Sequence, residues 1–292
     1  RVVLAVATFR AVASVMELLG QLAHLPFGEI VVVDSLADGR LETLIRERGW
    51  MVRYENASSN LGSAGNLARR LELAASTSCE FAFAINHDGT VGPDSIRALV
   101  DLADRVPGPV GAVYPLRRYV NRGGSLRSAS QGGAFHRSGT RPTAEFSQTA
   151  WSSSNGALYA LAPVRAAVLP DARLWMGWED LGYGAVLESR GYHQYVANEV
   201  VVDDPYEYTL KRIGPWERYV TEKPTWYQYY TVRNLILLAH DEPRLRTVAL
   251  QKLAIELGML ALVRDQKLER LGLAARGLID GALRRSGKWA KP

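Results

Sequence analysis

The stretch FAFAINHDGT, residues 81–90, joins an apolar segment to a cluster of polar groups. Its aromatic and small apolar residues predict a strand buried in a sheet. The strand then ends in Asn86-His87-Asp88-Gly89, which brings an amide, an imidazole and a carboxylate to one point. A turn would explain these residues, because Asp-Gly is a strong turn signal. A metal or ligand site at the carboxyl end of a parallel strand would also explain them.

The chain before this strand alternates strand-like and helix-like segments. Apolar runs predict strands at 2–7, 29–34, 51–56 and 81–85, and helical spacing predicts helices at 12–22, 40–48, 64–76 and 96–103. Continuous apolar strands separated by amphipathic helices are typical of a parallel sheet covered on both faces. Such a sheet binds ligands beyond the carboxyl ends of its strands. The residues at the carboxyl ends of these predicted strands are Thr8, Phe9, Arg10, Asp34, Ser35, Asn56, Asn86, His87 and Asp88.

The second half of the chain is less regular. A stretch rich in Gly, Ser and Arg at 117–149 is predicted to be loop, and WSSSNG at 151–156 leads into the apolar ALYAL. WMGWED at 175–180 precedes a predicted helix that ends near Gly191, and VVVDD at 200–204 follows it. From about residue 216 onward the pattern predicts helices.

Composition limits the class of protein. The 292 residues are 47% hydrophobic and 22% charged, which is ordinary for a globular protein with a substantial core. One cysteine, Cys79, excludes an intramolecular disulfide and favours a reducing compartment. The opening VVLAVATF is too short for a signal peptide, and no apolar run approaches the roughly 20 residues that cross a bilayer. We therefore expect a cytoplasmic protein.

The net charge of +5 is unevenly distributed. Residues 244–292 carry eleven Lys and Arg against four Asp and Glu, so the rest of the chain is slightly acidic. A basic tail of this kind favours an anionic partner, either nucleic acid or an anionic membrane surface.

Two common nucleotide motifs are absent. The turn after the first strand, Thr8-Phe9-Arg10-Ala11, lacks the glycines of a dinucleotide fingerprint. The segment from Gly281 to Lys288 has five residues between its glycines, and Trp289 follows where a P-loop needs Ser or Thr. Nicotinamide chemistry and P-loop hydrolysis are therefore poorly supported.

Six segments together carry a family resemblance. They are, in chain order, VVLAVATFR, IVVVDSLADG, NLGSAGN, FAFAINHDG, SSNGALYAL and WEDLGYGAVLESRGY. Over residues 1–205 their order and spacing resemble family 2 glycosyltransferases of the GT-A fold, which are inverting enzymes that use nucleotide sugars. The further segment WYQYYTVRN at 226–234 is similar to a helix of rhamnosyltransferase-like and galactofuranosyltransferase-like members.

The resemblance implies a fold class and a domain division. We expect an α/β fold with a Rossmann-like, mostly parallel sheet flanked by helices, followed by a C-terminal helical extension. The expected division is a GT-A catalytic domain at 1–215, with a nucleotide-binding part at 1–115 and an acceptor part at 116–215, and a helical region at 216–292.

For the residues after the predicted strand at 81–85, the resemblance implies a metal site. Asn86-His87-Asp88 stands where the family has Asp-x-Asp. Asp88 would bind Mg²⁺ or Mn²⁺ that bridges the donor diphosphate, and Asn86 would hydrogen-bond a ribose or sugar hydroxyl. Many relatives place a metal-binding His where this chain has Asp203-Asp204, and Asp204 is the better aligned of the two.

The resemblance also implies a set of nucleotide-sugar ligands. Thr8, Phe9 and Arg10 would lie along the base and ribose, and Asp34 would accept a hydrogen bond from one of them. The remaining implied residues are Asn60, Gly62 and Asn66 beside the nucleotide, and Asn155 and Gly156 under the donor sugar. Simple structural roles are the alternatives: a strand-end carboxylate for Asp34, a helix cap for Asn60 or Ser63, and a turn for Asn155-Gly156.

Glu179-Asp180 matches the Glu-Asp pair of the family, in which the Asp is the catalytic base. The reaction needs a carboxylate that removes the proton of the acceptor hydroxyl. The alternative is an acidic helix start stabilised by the helix dipole. Gly182 stands where the family often has a further Asp.

The resulting hypothesis is an inverting hexosyltransferase, as in cell-wall or polysaccharide biosynthesis. It would transfer sugar from a UDP- or dTDP-sugar to a hydroxyl of a glycan, lipid-linked or small-molecule acceptor. A non-catalytic nucleotide-sugar or carbohydrate-binding relative is one alternative, because Asn86 and Gly182 depart from the family pattern. A nucleotidyltransferase is another, although residues 8–13 lack its basic, glycine-rich phosphate loop.

The tail predicts two leucine-rich helices with interspersed basic residues. These are Arg264, Lys267, Arg270, Arg276, Arg284 and Arg285. The helices would expose either a basic, solvated face or a face that binds anionic lipid at the inner side of the membrane. We expect no nucleic-acid partner, because the basic tail is the only feature of the sequence that favours one.

Overall fold

A computed structural model describes residues 1–35, 38–119, 125–129, 135–138, 144–204, 208–213 and 216–289. In its first part, strands and helices alternate as predicted. The strands are β1 (Val2–Thr8), β2 (Glu29–Asp34), β3 (Arg53–Asn56) and β4 (Phe81–Asn86). The helices are α1 (Val12–Leu22), α2 (Arg40–Glu47), α3 (Gly62–Ala75) and α4 (Pro93–Ala103). Each prediction is confirmed to within three residues at either end.

The middle of the chain contains more strand than the sequence predicts. Its strands are β5 (Val110–Tyr119), β6 (Ser125–Ala129), β7 (Phe135–Ser138), β8 (Phe146–Gln148), β9 (Ala157–Ala160), β10 (His193–Asp204), β11 (Tyr208–Ile213) and β12 (Trp216–Thr221). The helices here are α5 (Leu161–Arg165) and α6 (Glu179–Ser189), with a 3-10 turn at Ala172–Leu174.

Two sequence-based predictions are wrong in this part. Residues 117–149 are not simply loop, because β5 extends into this stretch and β6 to β8 lie within it. The helical region does not begin at 216, because β12 pairs with β11 and the next helix starts at Tyr227. In both cases hydrogen bonds to a neighbouring strand stabilise a segment whose own composition is a weak strand signal.

One sheet organises the chain from β1 to β10. Among the described residues its main path has the order β3-β2-β1-β4-β9-β5-β10-β8, with β6 and β7 extending from β5. The first four strands of this path are parallel, as are β5 and β10. β9 runs antiparallel between β4 and β5, so the chain enters β9 at the carboxyl end of β4. This topology brings residues 154–156 beside the carboxyl end of β4.

Apolar residues cover both faces of the sheet, as a parallel sheet with helices on each side requires. Alternate residues of β1 show the division: Leu4 and Val6 pack in one core cluster, with α1 and α4. Val3 and Ala5 pack in another, with α3 and α6. All four are fully buried.

Three helices follow the sheet: α7 (Tyr227–Asp241), α8 (Arg246–Leu262) and α9 (Lys267–Ala282). Along α7, Leu238 packs in a cluster with Leu181 of α6. Val232 of α7 packs with Leu260 of α8 and Ala274 of α9. α7 therefore lies between α6 and an outer layer formed by α8 and α9. In the described part of the chain, no helix combines the length and apolarity needed to span a membrane.

Candidate active site

The ends of the parallel strands form one polar edge. Thr8 of β1 is in register with Asp34 of β2, which is in register with Asn56 of β3. On the other side of β1, Ala7 is in register with Asn86 of β4. The predicted residues of these four strands therefore lie at the same edge of the sheet.

The first part of this edge contains buried polar atoms that lack partners. The Tyr54 hydroxyl donates to Asp34 Oδ2 at 2.8 Å, and Asn66 Nδ2 donates to the Val33 carbonyl at 3.0 Å. Yet Thr8 Oγ1, Asp34 Oδ1 and Asn66 Oδ1 are buried and have no hydrogen-bond partner among the described residues. A buried polar atom without a partner costs about 1–3 kcal/mol. Three of them along one edge indicate a site that a polar ligand completes.

Asp34 is the charged group of this part. Burial raises the pKa of Asp34 above its ordinary value, while the hydrogen bond from Tyr54 opposes the shift. Beyond it, Phe9 is 38% exposed, and the Arg10 guanidinium lies over its ring at 5.1 Å. Arg10 has a positive φ of 54°, so the chain turns sharply as it leaves β1.

The start of α3 is fixed to a tryptophan from the second half of the chain. Asn60 Oδ1 accepts from the Gly62 amide at 2.9 Å, and the Asn60 carbonyl accepts from Trp175 Nε1 at 3.1 Å. Gly62 has φ +67°, and a Cβ there would lie 2.0 Å from the Trp175 carbonyl oxygen. Only glycine fits this position. Ser63 does not cap the helix, since its hydroxyl contacts Met176 Sδ at 3.3 Å.

Asn155 holds the residues at the carboxyl end of β4. Its Oδ1 accepts from the Asn86 amide at 2.9 Å, and its Nδ2 is 3.5 Å from Asp88 Oδ1. The buried Arg117 donates to the Asn155 carbonyl at 2.9 Å. A Cβ on Gly89 would lie 2.7 Å from Asn155 Oδ1, so glycine permits this close approach. Asp88 itself stays exposed to solvent.

The carboxylates that could bind a metal are sparse. No group of three or more His, Cys, Asp or Glu side chains that could hold an ion occurs in the described ranges. Asp203 is paired with Arg118 at 2.6 Å. Asp204 ends β10, and its side chain lies outside what the structure describes. A cation at Asp88 would therefore take most of its ligands from substrate and water, which is a coordination common for Mg²⁺.

The predicted base lies in the first turn of α6. Asp180 Oδ1 accepts from the Ser154 amide at 3.2 Å. Burial, followed by the charge of Glu179, raises the pKa of Asp180 to about 7, while Ser154 and Arg117 oppose the shift. A carboxyl with a pKa near neutrality can accept a proton and still be largely ionised at physiological pH. Glu179 Oε2 is buried and finds no partner among the described residues.

Sequence reasoning missed several residues that build this site. Tyr54 donates a hydrogen bond to Asp34, and the Ser154 amide donates one to Asp180. Arg117 donates to the carbonyl of Asn155. Arg70 is also buried under the edge, where it donates to the Ile85 carbonyl at 2.8 Å, and burial lowers its pKa to about 10. Arginines within an apolar strand and an apolar helix face were the signals that could have revealed Arg117 and Arg70.

The fold can be compared with solved structures. S. aureus TarS 1–349 in complex with UDP-GlcNAc has a TM-score of 0.61 at 14% identity, over 98% of this chain and 81% of that chain. GalNAc-T7 with UDP, GalNAc and Mn²⁺ has a TM-score of 0.53 at 11% identity, over 80% of this chain and 50% of that chain. TarS and GalNAc-T7 are glycosyltransferases of the GT-A fold. The chain has the GT-A fold.

This result confirms the fold class predicted from the sequence. Against a further structure of S. aureus TarS, the likeness covers 96% of this chain but 49% of that chain, with a TM-score of 0.58. No family model matches the chain, and the comparison with curated proteins gave no match. At 11–15% identity the GT-A likeness extends to the fold alone.

Proposed function

We propose that this GT-A chain is an inverting glycosyltransferase of the family 2 type that uses a UDP- or dTDP-sugar. One observation carries the proposal. Ser154 and Asn155, which are consecutive, contact Asp180 and Asp88 respectively. One dipeptide thus contacts Asp180, which is suited to accept a proton, and Asp88, which is suited to bind a cation at the leaving diphosphate. Inversion requires these two functions on opposite sides of the same sugar carbon.

The donor would bind at the edge formed by β1, β2 and α3. Thr8, Asp34 and Asn66 would offer three oxygens, which have no partner in the described part of the chain, to hydroxyl and amide groups of the nucleoside. The exposed Phe9 ring and the Arg10 guanidinium border the same edge, where they can cover a base. Asn60 and Gly62 support this part through Trp175. Asn86, Asn155 and Gly156 would lie under the donor sugar.

Asp180 is the proposed base. In its ionised form it takes the proton of the acceptor hydroxyl while that oxygen attacks the anomeric carbon. The new carbon–oxygen bond forms as the bond to the nucleotide diphosphate breaks, and the electron pair of that bond leaves with the nucleotide. Glu179 would keep the pKa of Asp180 high through its neighbouring charge.

Asp88 is the proposed holder of Mg²⁺ or Mn²⁺, with Asp204 as a second ligand. A bound divalent cation would neutralise charge that develops on the leaving diphosphate. The GalNAc-T7 structure that shares the fold contains Mn²⁺. In this chain the amide of Asn155 orients the Asp88 carboxylate, and the exposure of Asp88 leaves it accessible to a diphosphate.

We propose that different parts of the chain bind the nucleotide and the acceptor. Residues 1–115 would bind the nucleotide, residues 116–215 would bind the acceptor and supply Asp180, and the helices after Tyr227 would support that second part. A glycan, a lipid-linked glycan or a small molecule with a free hydroxyl would serve as acceptor.

The tail helices suggest how a lipid-linked acceptor would be reached. Three of the predicted basic side chains of the tail are exposed and pair with acidic ones. Arg276 and Arg285 both contact Asp280, and Arg284 contacts Asp241. Apolar side chains are exposed on these helices as well: of the twelve large apolar side chains exposed among the described residues, eight lie between 250 and 283. They are Leu250, Ile255, Leu262, Leu268, Leu271, Leu278, Ile279 and Leu283.

This outer layer fits an anionic lipid surface. Apolar faces with basic residues nearby are typical of helices that lie in a membrane interface. The excess of seven positive charges over residues 244–292 would repel a second copy of the chain and attract anionic lipid. We expect binding to phosphatidylglycerol vesicles to fall in Leu268→Gln and Ile279→Gln. Met51→Gln, which changes a 91% exposed side chain outside the tail, should bind as the parent does.

Binding of neutral and anionic vesicles to the same extent would contradict the electrostatic part of this proposal. Self-association of the parent that Leu268→Gln abolishes, without vesicle binding, would assign the face to a second copy.

Donor screening tests the proposed function. We expect UDP- or dTDP-sugars with Mn²⁺ to raise the melting temperature, because selective binding stabilises the folded state. Release of nucleoside diphosphate, with inversion at the transferred sugar, should then follow when an acceptor is added. Binding without turnover would favour a non-catalytic relative, and release of pyrophosphate from a nucleoside triphosphate would favour a nucleotidyltransferase.

A further inference from the structure

The segment directly before Glu179 has an unusual backbone. Trp175, Gly177 and Trp178 have positive φ values of 58°, 85° and 66°. Residues with a Cβ rarely adopt this conformation, and here two tryptophans adopt it within four positions. Such backbone persists only where the surrounding structure holds it.

The side chain of Asn234 on α7 holds this segment. Its Nδ2 lies within hydrogen-bond distance of three carbonyl oxygens, those of Leu174 at 2.9 Å, Met176 at 2.9 Å and Gly177 at 2.8 Å. Asn234 is fully buried, so water cannot replace these bonds.

The neighbouring Arg233 fixes the orientation of the amide. Its guanidinium donates to Asn234 Oδ1 at 2.8 and 2.9 Å, so the amide nitrogen must face the segment. Arg233 also donates to the Leu174 carbonyl at 2.8 Å, and it too is fully buried. The pair therefore forms a rigid clamp from α7.

The segment contacts both halves of the candidate site. The Trp175 carbonyl accepts from the Ala64 amide of α3 at 3.1 Å, next to the donor-side Gly62. The Trp178 carbonyl accepts from the Gly182 amide at 2.9 Å, in the first turn of α6 that carries Asp180. One clamp thus sets the position of a donor-binding element and of the base.

We propose that Asn234 is a positioning residue that places Asp180, through the segment 174–178, against the donor-binding start of α3. In the described part of the chain the side chain of Asn234 bonds to this segment and to Arg233, so it would act on Asp180 through the segment. The inference rests on the proposed function for its consequence in the reaction. Its structural part, the restraint of the segment, does not.

A readout follows from the surroundings of Asp180. A loosened segment would let water reach this carboxyl and lower its pKa, because burial is the main cause of its raised value. The charged and titratable groups that face Asp180 are not themselves replaced by a substitution at 234. These groups are Glu179, Arg117, Arg70, Tyr114, Tyr159 and Tyr227.

Asn234→Asp is the test, because Asp has the same shape but its ionised form cannot donate to the three carbonyls. The matched control is Gln228→Glu, which makes the same amide-to-carboxylate change on the same helix. Gln228 is buried, and its Nε2 has no hydrogen-bond partner in the described part of the chain. Both variants carry the burden of a buried carboxylate, and only Asn234→Asp releases the segment.

We expect amide hydrogen exchange in peptides covering 174–182 to become about tenfold faster in Asn234→Asp and to stay at the parent level in Gln228→Glu. Sugar transfer should fall about a hundredfold in Asn234→Asp. The acid limb of its pH–rate profile should move about one pH unit lower. Trp178→Phe removes the 3.2 Å bond to the Thr231 carbonyl together with part of the ring packing, and it should give the same changes to a smaller extent if Asn234→Asp folds poorly.

Parent-like exchange and an unshifted acid limb in Asn234→Asp would overturn the inference, and so would equal changes in Gln228→Glu. A parent protein that transfers no sugar would instead overturn the proposed function. The exchange measurement would still decide whether Asn234 restrains the segment.

Discussion

Replacing Asp180 by Asn tests the proposed base through both activity and stability. The amide keeps the shape of the side chain and can still accept the hydrogen bond from the Ser154 amide, but it cannot take up a proton. We expect turnover to fall by roughly 10² to 10⁴ while donor binding is retained. Activity of the parent should itself decline below about pH 7, where Asp180 becomes protonated.

The stability change has a sign that follows from the pKa. Asp180 has a folded pKa of about 7 against an ordinary value of 3.8. Between these values the folded protein binds more protons than the unfolded chain, so stability falls as pH rises through this window. At about 1.4 kcal/mol per pH unit, the buried carboxylate costs on the order of 4 kcal/mol at pH 8 and less than half of that at pH 5. Asn avoids this cost, so Asp180→Asn should be more stable than the parent, mainly at pH 8.

Chemical denaturation at pH 5 and pH 8 measures this difference. A suitable control is Asp104→Asn, because Arg1 lowers the pKa of Asp104 and its neutralisation should bring no stability at high pH. An Asp180→Asn variant that gains no stability at pH 8 would refute the argument that Asp180 is a buried, destabilising carboxylate. An Asp180→Asn variant that retains turnover would refute its role as base.

Asp88→Ala should abolish Mn²⁺-dependent donor binding in a thermal-shift assay with little change in the stability of the free protein, since Asp88 is exposed; donor binding that ignores both the substitution and a chelator would contradict this. Glu179→Gln should slow transfer less than Asp180→Asn and move the acid limb of the pH–rate profile lower, because the Glu179 charge raises the pKa of Asp180. Gly62→Ala should lower both donor affinity and the free energy of unfolding, by roughly 1–3 kcal/mol, because its Cβ meets the Trp175 carbonyl. Gly39→Ala, at φ +82° with open space around it, should show only the smaller cost of the backbone conformation.

The first part of the fold could be predicted because its signals are local. The strands β1, β2 and β4 carry their own apolar residues, and the helices α1 to α4 repeat apolar residues at helical spacing. Parallel pairing then follows from the alternation of strands and helices. The polar edge with Thr8, Asp34, Asn86 and Asp88 is a direct consequence of that topology.

The supporting residues could not be predicted, because their partners are far away in sequence. Arg117 meets Asn155 only because β9 is inserted between β4 and β5. Ser154 meets Asp180 only because α6 begins beside the same edge. No periodicity in the sequence encodes a contact over 26 or 38 residues.

The tail shows a different limit of sequence reasoning. Leucine spacing predicts amphipathic helices there, and the structure contains them. Spacing does not decide which side of a helix is covered, since Arg270, Arg276 and Arg285 are satisfied by Asp265 and Asp280 next to the bundle. As a result apolar side chains such as Leu268, 87% exposed, face outward.

Three features make the candidate site less stable than it could be. Asp180 carries an unfavourable charge above pH 7, and Thr8, Asp34 and Asn66 leave buried oxygens without partners among the described residues. Strain in the segment 174–178 adds to these costs, and the clamp formed by Arg233 and Asn234 offsets it. A fold tolerates such features where the missing partner is a substrate. These features are concentrated along the edge of the sheet where β4 also ends. Their concentration there therefore supports this edge as the active site.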